Sequence, residues 1–399
     1  MIFDSESVFE ENVITVLKQH GWKDGVLRYP TERDLLDNWK GILYRNNNDI
    51  DRLGKYPLTD GEMTQIIEQI ETLRTPLALN SFVNGRTVSI TRDNKEDVAH
   101  FGKEVSLYIY DRKEIAGGKS TYQIAQQPVY PAKNKMLNSR RGDLVLLING
   151  MPLIHIELKK SGIPVSQATN QIEKYAHEGV FTGLFRLVQI FVAMNPDDAV
   201  YFANPGVDKF NPSYYFHWAD YNNEPICGGQ NPGKDEWKLF IGGTSGTAGL
   251  LSIPMAHQLI GFYTIADSAD GCLKVLRSYQ YIAANAISDV VRKCDWEQRP
   301  ATPGRPGGYV WHTTGSGKTM TSFKSAQLIA DSHDADKVVF LMDRIELGTQ
   351  SLKEYRSFAD SETEVQGTEN TGVLRDKLNS TNVNDTLIDT SIQKMSNVK

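Results

Sequence analysis

The sequence predicts an α/β protein of two domains, and three observations support this prediction. Strand-like and helix-like segments alternate from residue 140 to residue 205. A second alternation begins at residue 307, where a short apolar segment, a Gly-rich loop and a helical pattern follow one another. Between them, residues 221–247 are polar and Gly-rich, as in a loop or linker. We therefore place the domains at residues 1–245 and 246–399, since alternating strands and helices are typical of α/β folds.

The composition is that of a globular protein with room for more than one core. The 399 residues are 40% hydrophobic and 23% charged, with a formal net charge of −6. No apolar run approaches the roughly 20 residues that cross a bilayer, and the acidic N-terminus lacks a signal-peptide pattern. Three cysteines without metal-type spacing cannot all pair, so we expect a cytoplasmic location. The acidic balance confines any nucleic-acid surface to a local patch.

The first 130 residues predict a mixture of helices and strands. Residues 6–19 carry apolar side chains on one helical face, and Gly21 is suited to end that helix. Residues 64–73 predict a further helix, whereas residues 87–90 and 105–110 predict strands.

Residues 143–148 and 152–159 predict two strands around Asn149-Gly150, a dipeptide typical of hairpins. The hairpin carries Asp143, Glu157 and Lys159, and the last two share a face because side chains alternate along a strand. Two acids and a lysine suit a metal-dependent hydrolase, in which the acids hold Mg²⁺ and the lysine acts on the attacking water or the transition state. An exposed hairpin with incidental charges is the alternative.

The register of this hairpin decides whether the two acids can meet. A two-residue turn pairs Asp143 with Ile156 and puts Asp143 and Glu157 on opposite faces. A shared site therefore needs a loop of odd length or a β-bulge. Pro152 favours the longer loop, since proline cannot donate to the ladder. We predict the odd-length loop.

A helix predicted at residues 167–176 carries Gln171 and Tyr175 on one face, at a spacing of four. A strand predicted at residues 188–194 follows. With the hairpin, this order of elements and polar residues resembles the PD-(D/E)xK nuclease superfamily, whose core is a mixed sheet flanked by helices. Gly142 stands where the name of that family expects proline, a position without a chemical role.

The resemblance implies roles for individual residues. Asp143, Glu157 and the main-chain carbonyl of Leu158 would bind Mg²⁺, and Lys159 would complete the catalytic set. Gln171 and Tyr175 would support the site or contact DNA.

Residues 312–319 form a candidate phosphate-binding loop. Its glycines would let N–H groups point at phosphate oxygens, its lysine would reach the terminal phosphates, and its last threonine would ligate Mg²⁺. An apolar strand predicted at residues 309–311 precedes the loop, and a helical pattern follows it, which suits anion binding. A chance Gly-rich turn is the alternative, since His312 stands where the general pattern has glycine. The expected nucleotide ligands are Thr314, Gly315, Ser316, Gly317, Lys318 and Thr319.

This region resembles the first motor domain of superfamily 2 helicases and translocases, a RecA-like parallel α/β domain that uses ATP. In that family a residue other than glycine often stands at the position of His312. Arg277 and Gln280, on a helix predicted at residues 273–293, look like an adenine-reading element, with a polar helix face as the alternative. Asp343 and Arg344, after a fully apolar strand predicted at residues 338–342, match a DNA-contacting position, and residues 386–394 resemble the next such strand.

A nuclease followed by such a motor resembles the R subunits of type I restriction enzymes. The resemblance implies cleavage of double-stranded DNA coupled to ATP-driven translocation, in a complex with methyltransferase and specificity subunits. A standalone helicase–nuclease, or a DNA- or nucleotide-binding module with idle catalytic sites, are the alternatives. The best local candidate for a DNA-binding surface is a basic patch, with a solvated loop as the alternative; its residues are Lys133, Lys135, Arg140, Arg141, Lys159 and Lys160.

The sequence predicts a complete nuclease site and an incomplete motor. No Asp-Glu pair on an apolar strand follows Thr319, and a second motor domain with its arginine finger is also missing. We therefore expect the 399 residues to be an N-terminal part of such a subunit that binds ATP weakly without hydrolysing it.

Overall fold

The computed structural model describes residues 2–115, 117–130, 140–231, 234–294, 307–343, 345–359 and 364–398. The chain divides into two compact units, residues 1–264 with 272–275 and residues 265–271 with 276–399. The domain boundary between residues 245 and 246 stays a prediction, because compact packing and the limits of a functional domain are separate properties. No helix in these ranges is long and apolar enough to cross a membrane.

The first unit combines helices with a mixed sheet. Its helices are α1 (Glu6–Gln19), α2 (Glu32–Asn46), α3 (Asp60–Thr72), α4 (Pro76–Asn84), α5 (Val165–Glu178), α6 (Glu236–Gly242) and α7 (Met255–Gly261). Its strands are β1 (Val26–Arg28), β2 (Thr87–Thr91), β3 (Glu104–Tyr108), β4 (Tyr122–Gln126), β5 (Val129–Tyr130), β6 (Arg140–Arg141), β7 (Leu144–Ile148), β8 (Met151–Leu158), β9 (Ile190–Met194) and β10 (Ala199–Ala203). Residues 221–247 were predicted as loop and linker, but part of this range forms helix α6. The helix is stable there because its apolar side chains are buried.

The central sheet has the strand order β1-β4-β7-β8-β9-β10. Strands β7 to β10 are buried along their whole length, as their apolar sequences require. Strands β8 and β9 are parallel and are connected through α5, whereas β7 is antiparallel to β8. Helix α5 packs on β9 and β10 through a cluster of apolar residues: Ala168, Ile172, Val188, Phe191, Ala193, Val200 and Phe202.

A tight turn joins β7 and β8. Ile148 pairs with Met151, so the turn consists of Asn149 and Gly150 alone. Both residues have positive φ, 52° and 83°, as the favoured two-residue hairpin turns require. A Cβ on Gly150 would lie 2.9 Å from the Cα of Trp39. The turn is therefore buried against α2 and has no room for a side chain.

The second unit contains a parallel sheet in the order β13-β15-β14. Its strands are β13 (Val338–Met342), β14 (Val365–Gly367) and β15 (Leu387–Ser391), and its helices are α8 (Ser278–Lys293), α9 (Lys318–Ser332), α10 (Ile345–Phe358), α11 (Thr371–Asn379) and α12 (Ile392–Ser396). The core is formed by Phe323, Ala326, Phe340, Tyr355, Val365 and Leu387. The parallel strand predicted at residues 338–342 is confirmed, although Phe340 is its one buried residue.

Two predictions for this part of the chain are wrong. Residues 309–311 form no strand, because no described strand pairs with them and the side chains of Tyr309 and Trp311 are each 88% exposed. The helix predicted at residues 273–293 begins only at Ser278. Its first residues belong instead to a short strand, β12 (Cys272–Val275), which follows β11 (Thr264–Asp267) in the chain.

Candidate active site

A β-bulge in the β7–β8 hairpin brings the two predicted acids together. Beyond the turn the register shifts by one residue, so that Leu146 pairs with Ile154. The shifted register continues to Leu144 and Ile156, and its extension by one residue places Asp143 opposite Glu157. The bulge adds one residue to β8 relative to β7. Beyond the bulge, Asp143 and Glu157 therefore lie on the same face of the hairpin.

The predicted odd-length loop is wrong, and the bulge that was its alternative takes its place. Pro152 pairs with Leu147, next to the hydrogen-bonded pair that closes the turn. That position does not exchange hydrogen bonds across the hairpin, and pairing of β8 with β9 begins only at Ile154. The missing N–H of Pro152 therefore costs no ladder hydrogen bond.

The acidic pair is held by the main chain of β8. The N–H of Leu158 donates to Asp143 Oδ2 over 2.7 Å. Lys159 Nζ donates to the Leu158 carbonyl over 2.9 Å and lies 3.8 Å from Glu157 Oε1. One ammonium group, two carboxyl groups and one carbonyl therefore converge at the end of the hairpin.

The electrostatics of the pair favour a bound cation. Burial raises the pKa of Glu157 to about 8, against the opposing effect of the Lys159 charge. Burial and the neighbouring Glu157 raise the pKa of Asp143 well above its usual range, against the hydrogen bond from Leu158. Two such carboxyl groups ionise together readily only when positive charge is added between them.

The donor atoms fit Mg²⁺. Glu157 is fully buried, yet its Oε1 has no hydrogen-bond partner among the described residues. A buried oxygen without a partner costs free energy unless a bound group, such as a cation, contacts it. No three His, Cys, Asp or Glu side chains in the described ranges are grouped as a metal cluster. The donor set is therefore small and consists of the carboxylates of Asp143 and Glu157 with the Leu158 carbonyl. Mg²⁺ suits it, because Mg²⁺ prefers oxygen and usually keeps several water ligands.

Helix α5 supports the segment of main chain that leads into Asp143. Gln171 Nε2 donates to Tyr175 Oη over 2.7 Å, as their spacing of four predicts. The Tyr175 hydroxyl donates in turn to the main-chain carbonyl of Arg141 over 2.9 Å. The two side chains thus fix the main chain two residues before Asp143.

Four residues that the sequence reasoning missed surround the acidic pair. Glu6 and Glu10 of α1 both raise the pKa of Glu157, and Glu6 Oε1 lies 3.6 Å from Lys159 Nζ. His155 Nε2 lies 3.2 Å from Glu157 Oε2, and His155 Nδ1 lies 2.8 Å from the hydroxyl of Tyr130. The spacing of four between Glu6 and Glu10, and the shared strand face of His155 and Glu157, were the available signals.

The predicted basic patch is partly neutralised. Arg140 forms a two-bond ion pair with Glu178, at 2.8 and 2.9 Å. The guanidinium of Arg141 lies over the ring of Tyr29, 5.8 Å from its centre. Lys160 Nζ donates to the carbonyl of Asp4 over 3.4 Å. The remaining members, Lys133 and Lys135, lie outside the described residues.

The candidate phosphate-binding loop leads into α9. Gly315 and Gly317 have φ of 77° and 83°, which glycine tolerates, and Lys318 and Thr319 form the first turn of the helix. Lys318 Nζ donates to the Thr313 carbonyl over 3.3 Å. His312 Nδ1 lies 2.9 Å from the Ser316 hydroxyl. The histidine that replaces the expected glycine thus contacts a second residue of the loop and stabilises its conformation.

Of the two predicted adenine-reading residues, Gln280 contacts the same loop. The Oε1 of Gln280 accepts from the N–H of Arg277 over 3.0 Å, and its Nε2 donates to the Gly317 carbonyl over 3.2 Å. The hydroxyl of Tyr279 donates to the Ser316 carbonyl over 2.8 Å. Both ends of the Gln280 amide are therefore engaged within the protein. Of the predicted DNA contacts that follow β13, Asp343 is exposed, whereas Arg344 lies outside the described residues.

Comparison with protein families shows which family the chain belongs to. The sequence profile of the type I restriction enzyme R protein N terminus matches residues 4–210, more than half of the chain. The chain belongs to this family. A second profile, that of the SWI2/SNF2 ATPase, matches residues 279–399.

Individual members of the R protein family extend this finding. The endonuclease subunits of type I restriction enzymes from Staphylococcus saprophyticus and Staphylococcus aureus are each 32% identical to the chain over 99% of its length. The chain spans 37% of the length of each. The endonuclease subunit of an Escherichia coli type I restriction enzyme is 26% identical over 78% of the chain and 90% of its own length.

The matched ranges separate the two groups of predicted site residues. The R protein match contains the acidic pair, Lys159 and the two supporting residues of α5, whereas the ATPase match contains Gln280 and the whole loop at residues 312–319.

Proposed function

We propose that this chain carries the DNA-cleaving site of a type I restriction enzyme R subunit, built on a PD-(D/E)xK nuclease core. The observation that supports this most strongly is the bulge that sets Asp143 opposite Glu157 and leaves a buried Glu157 oxygen without a hydrogen-bond partner. A structural hairpin gains nothing from two buried carboxyl groups with raised pKa values, whereas a metal-dependent hydrolase needs them.

Asp143, Glu157 and the carbonyl of Leu158 would hold Mg²⁺. When bound, the cation would supply Lewis-acid stabilisation of charge at phosphorus and lower the pKa of a water molecule. These residues keep their positions through the Leu158 N–H bond to Asp143 and the support of Tyr175.

Lys159 would act on the reacting phosphate. Its side chain is only 10% exposed and its ammonium group lies beside the acidic pair, so its charge is poorly screened by solvent. From there it can orient the attacking water and stabilise negative charge that develops in the transition state. Arg141 and Lys160, which are both exposed, would contact the DNA backbone, while Arg140 would have to leave Glu178 to do so.

The second unit would be the first, RecA-like part of the motor. The loop at residues 314–319 would bind ATP phosphates, Thr319 would ligate the accompanying Mg²⁺, and Asp343 and Arg344 would contact DNA. Arg277 and Gln280 would face the adenine, for which Gln280 must exchange its internal partners. In the complete enzyme, we expect coupling of cleavage to translocation in a complex with methyltransferase and specificity subunits.

Mg²⁺-dependent nicking of supercoiled plasmid tests the nuclease proposal. Asp143→Ala and Lys159→Ala should each abolish nicking, and EDTA should abolish it in the parent chain. Asp24→Asn is a matched control, because Asp24 Oδ2 also accepts a main-chain N–H over 2.7 Å, that of Tyr122. Nicking that survives in both active-site variants would instead favour a binding module with an idle site.

Binding of a fluorescent ATP analogue tests the motor proposal. We expect weak binding that Lys318→Ala removes, without DNA-stimulated hydrolysis. Hydrolysis by the 399-residue chain that Lys318→Ala abolishes would contradict the expected incompleteness of the motor. Co-purification of the full-length protein with methyltransferase subunits would separate a restriction subunit from a standalone helicase–nuclease.

A further inference from the structure

A buried chain of two hydrogen bonds lies behind Glu157. The Tyr130 hydroxyl lies 2.8 Å from His155 Nδ1, and His155 Nε2 lies 3.2 Å from Glu157 Oε2. Tyr130 is 1% exposed, and His155 and Glu157 are completely buried. Water therefore cannot replace either bond, and the orientation of each group depends on the next.

The donors in this chain can be assigned from the chemistry of the groups. When Glu157 is ionised, as it is when it holds a cation, its carboxylate only accepts hydrogen bonds, so His155 must then donate to it from Nε2. A neutral imidazole with its proton on Nε2 accepts at Nδ1, where the hydroxyl of Tyr130 supplies the donor. The tyrosine thus selects the imidazole tautomer that donates to the carboxylate.

Packing holds the two side chains in place. A Cβ on Gly142, the residue before Asp143, would lie 2.5 Å from the Tyr130 hydroxyl and 2.8 Å from His155 Cε1. The space beside Asp143 is therefore already filled by this pair. The ring of Phe181 lies 5.4 Å from that of His155, and the ring of Phe185 lies 4.6 Å from that of Tyr130.

We propose that Tyr130 and His155 are positioning residues that fix the Glu157 carboxylate so that its Oε2 is held by the protein and its Oε1 is presented to the cation. The observation that supports this division is the contrast between the two oxygens, since Oε2 faces His155 whereas Oε1 has no hydrogen-bond partner in the described part of the chain. Partners that orient a metal ligand typically change metal affinity or activity by roughly 10- to 100-fold when removed. The inference rests on the proposed nuclease site.

The same unit contains a second Tyr–His pair that serves as a matched control. The Tyr122 hydroxyl lies 2.9 Å from His257 Nδ1, and His257 Nε2 lies 3.0 Å from the carbonyl of Asp111. This pair is also buried, but its last acceptor is a main-chain carbonyl. Removal of His257 therefore reproduces the loss of a buried Tyr–His pair without disturbing a carboxylate.

Titration of the 399-residue chain with Mn²⁺, followed by calorimetry, tests the proposal without requiring activity. His155→Leu should weaken Mn²⁺ binding by roughly 10- to 100-fold, whereas His155→Gln, whose amide can still donate to Glu157, should recover most of the affinity. Tyr130→Phe removes one hydroxyl and retains the ring, so it should fold and show a smaller loss in the same direction. His257→Leu should bind Mn²⁺ as the parent does.

The outcomes separate this inference from the proposed function. Binding of Mn²⁺ by the parent that Asp143→Ala removes supports the metal site. If the site then binds Mn²⁺ equally well in His155→Leu and Tyr130→Phe, the positioning role is refuted and the metal site stands. An equal loss in His257→Leu also refutes it, since general destabilisation would explain the effect. Failure of the parent to bind Mn²⁺ overturns both proposals.

Discussion

Binding of a divalent cation at the Asp143–Glu157 pair should weaken about 50-fold when the pH falls from 8 to 6. The perturbed group is Glu157, whose pKa is raised to about 8 by burial. A pKa raised in the metal-free protein means that the carboxyl group holds its proton below pH 8, and a cation must displace that proton. About half of the Glu157 carboxyl groups are ionised at pH 8 but only about 1% at pH 6, which gives the factor of about 50. The pKa of Asp143 is raised as well, so it would steepen the dependence.

Calorimetric titration with Mn²⁺ in two buffers of different ionisation enthalpy measures both the affinity and the protons released. At pH 7 binding should release about one proton, since roughly nine-tenths of the Glu157 carboxyl groups are protonated there. Glu157→Gln should remove most of the affinity and leave only the part of the pH dependence that Asp143 contributes, and the control Asp24→Asn should retain the affinity and its full pH dependence. An affinity that changes less than about threefold between pH 6 and pH 8, with no proton released, would refute the argument from burial.

Three further changes test the surrounding structure. Lys159→Ala should lower the nicking rate at saturating Mg²⁺ by roughly 100-fold or more, yet at pH 9 it should bind Mn²⁺ at least as tightly, because a neighbouring positive charge is removed. Gly150→Ala should lower the stability to thermal denaturation by roughly 2–4 kcal/mol, because φ is 83° and a Cβ would meet the main chain of Trp39. Gly162→Ala, with φ of 80° and open space around it, should cost only about 1–2 kcal/mol. Arg92→Met should destabilise the chain to urea by roughly 3–5 kcal/mol, since it removes the guanidinium that neutralises the buried carboxylates of Glu62 and Asp97.

The elements nearest the candidate site were predicted well because their sequence signals are local. The strands predicted at residues 143–148 and 152–159 are found at Leu144–Ile148 and Met151–Leu158, and the helix predicted at residues 167–176 is found at Val165–Glu178. Continuous apolar runs on either side of Asn-Gly specify a buried hairpin without reference to distant residues. Gln171 and Tyr175 lie on one face because a helix repeats every 3.6 residues.

Predictions that depended on residues far apart in the chain were more often wrong or incomplete. Residues 309–311 have the composition of a strand, but a strand requires a neighbour to satisfy its main-chain groups, and the described strands leave them unpaired. The roles expected for Gln280 and Arg140 overlooked partners 37 and 38 residues away along the chain. The short strand β1, which joins the central sheet beside β4, was not predicted.

The sequence by itself determined which chemical groups are available, namely Asp143, Glu157 and Lys159 on two adjoining strands and a glycine-rich loop before a helix. It also showed that the two acids could meet only if the hairpin departed from regular pairing. The tertiary structure decided how they meet, because a bulge is set by the packing of both strands within the sheet rather than by the turn that joins them. It also placed His155 and Tyr130 behind one oxygen of Glu157 and left the other without a hydrogen bond. The shared strand face of His155 and Glu157 can be read from the sequence, but the contact between Tyr130 and His155, 25 residues apart, has no local signal in a single sequence.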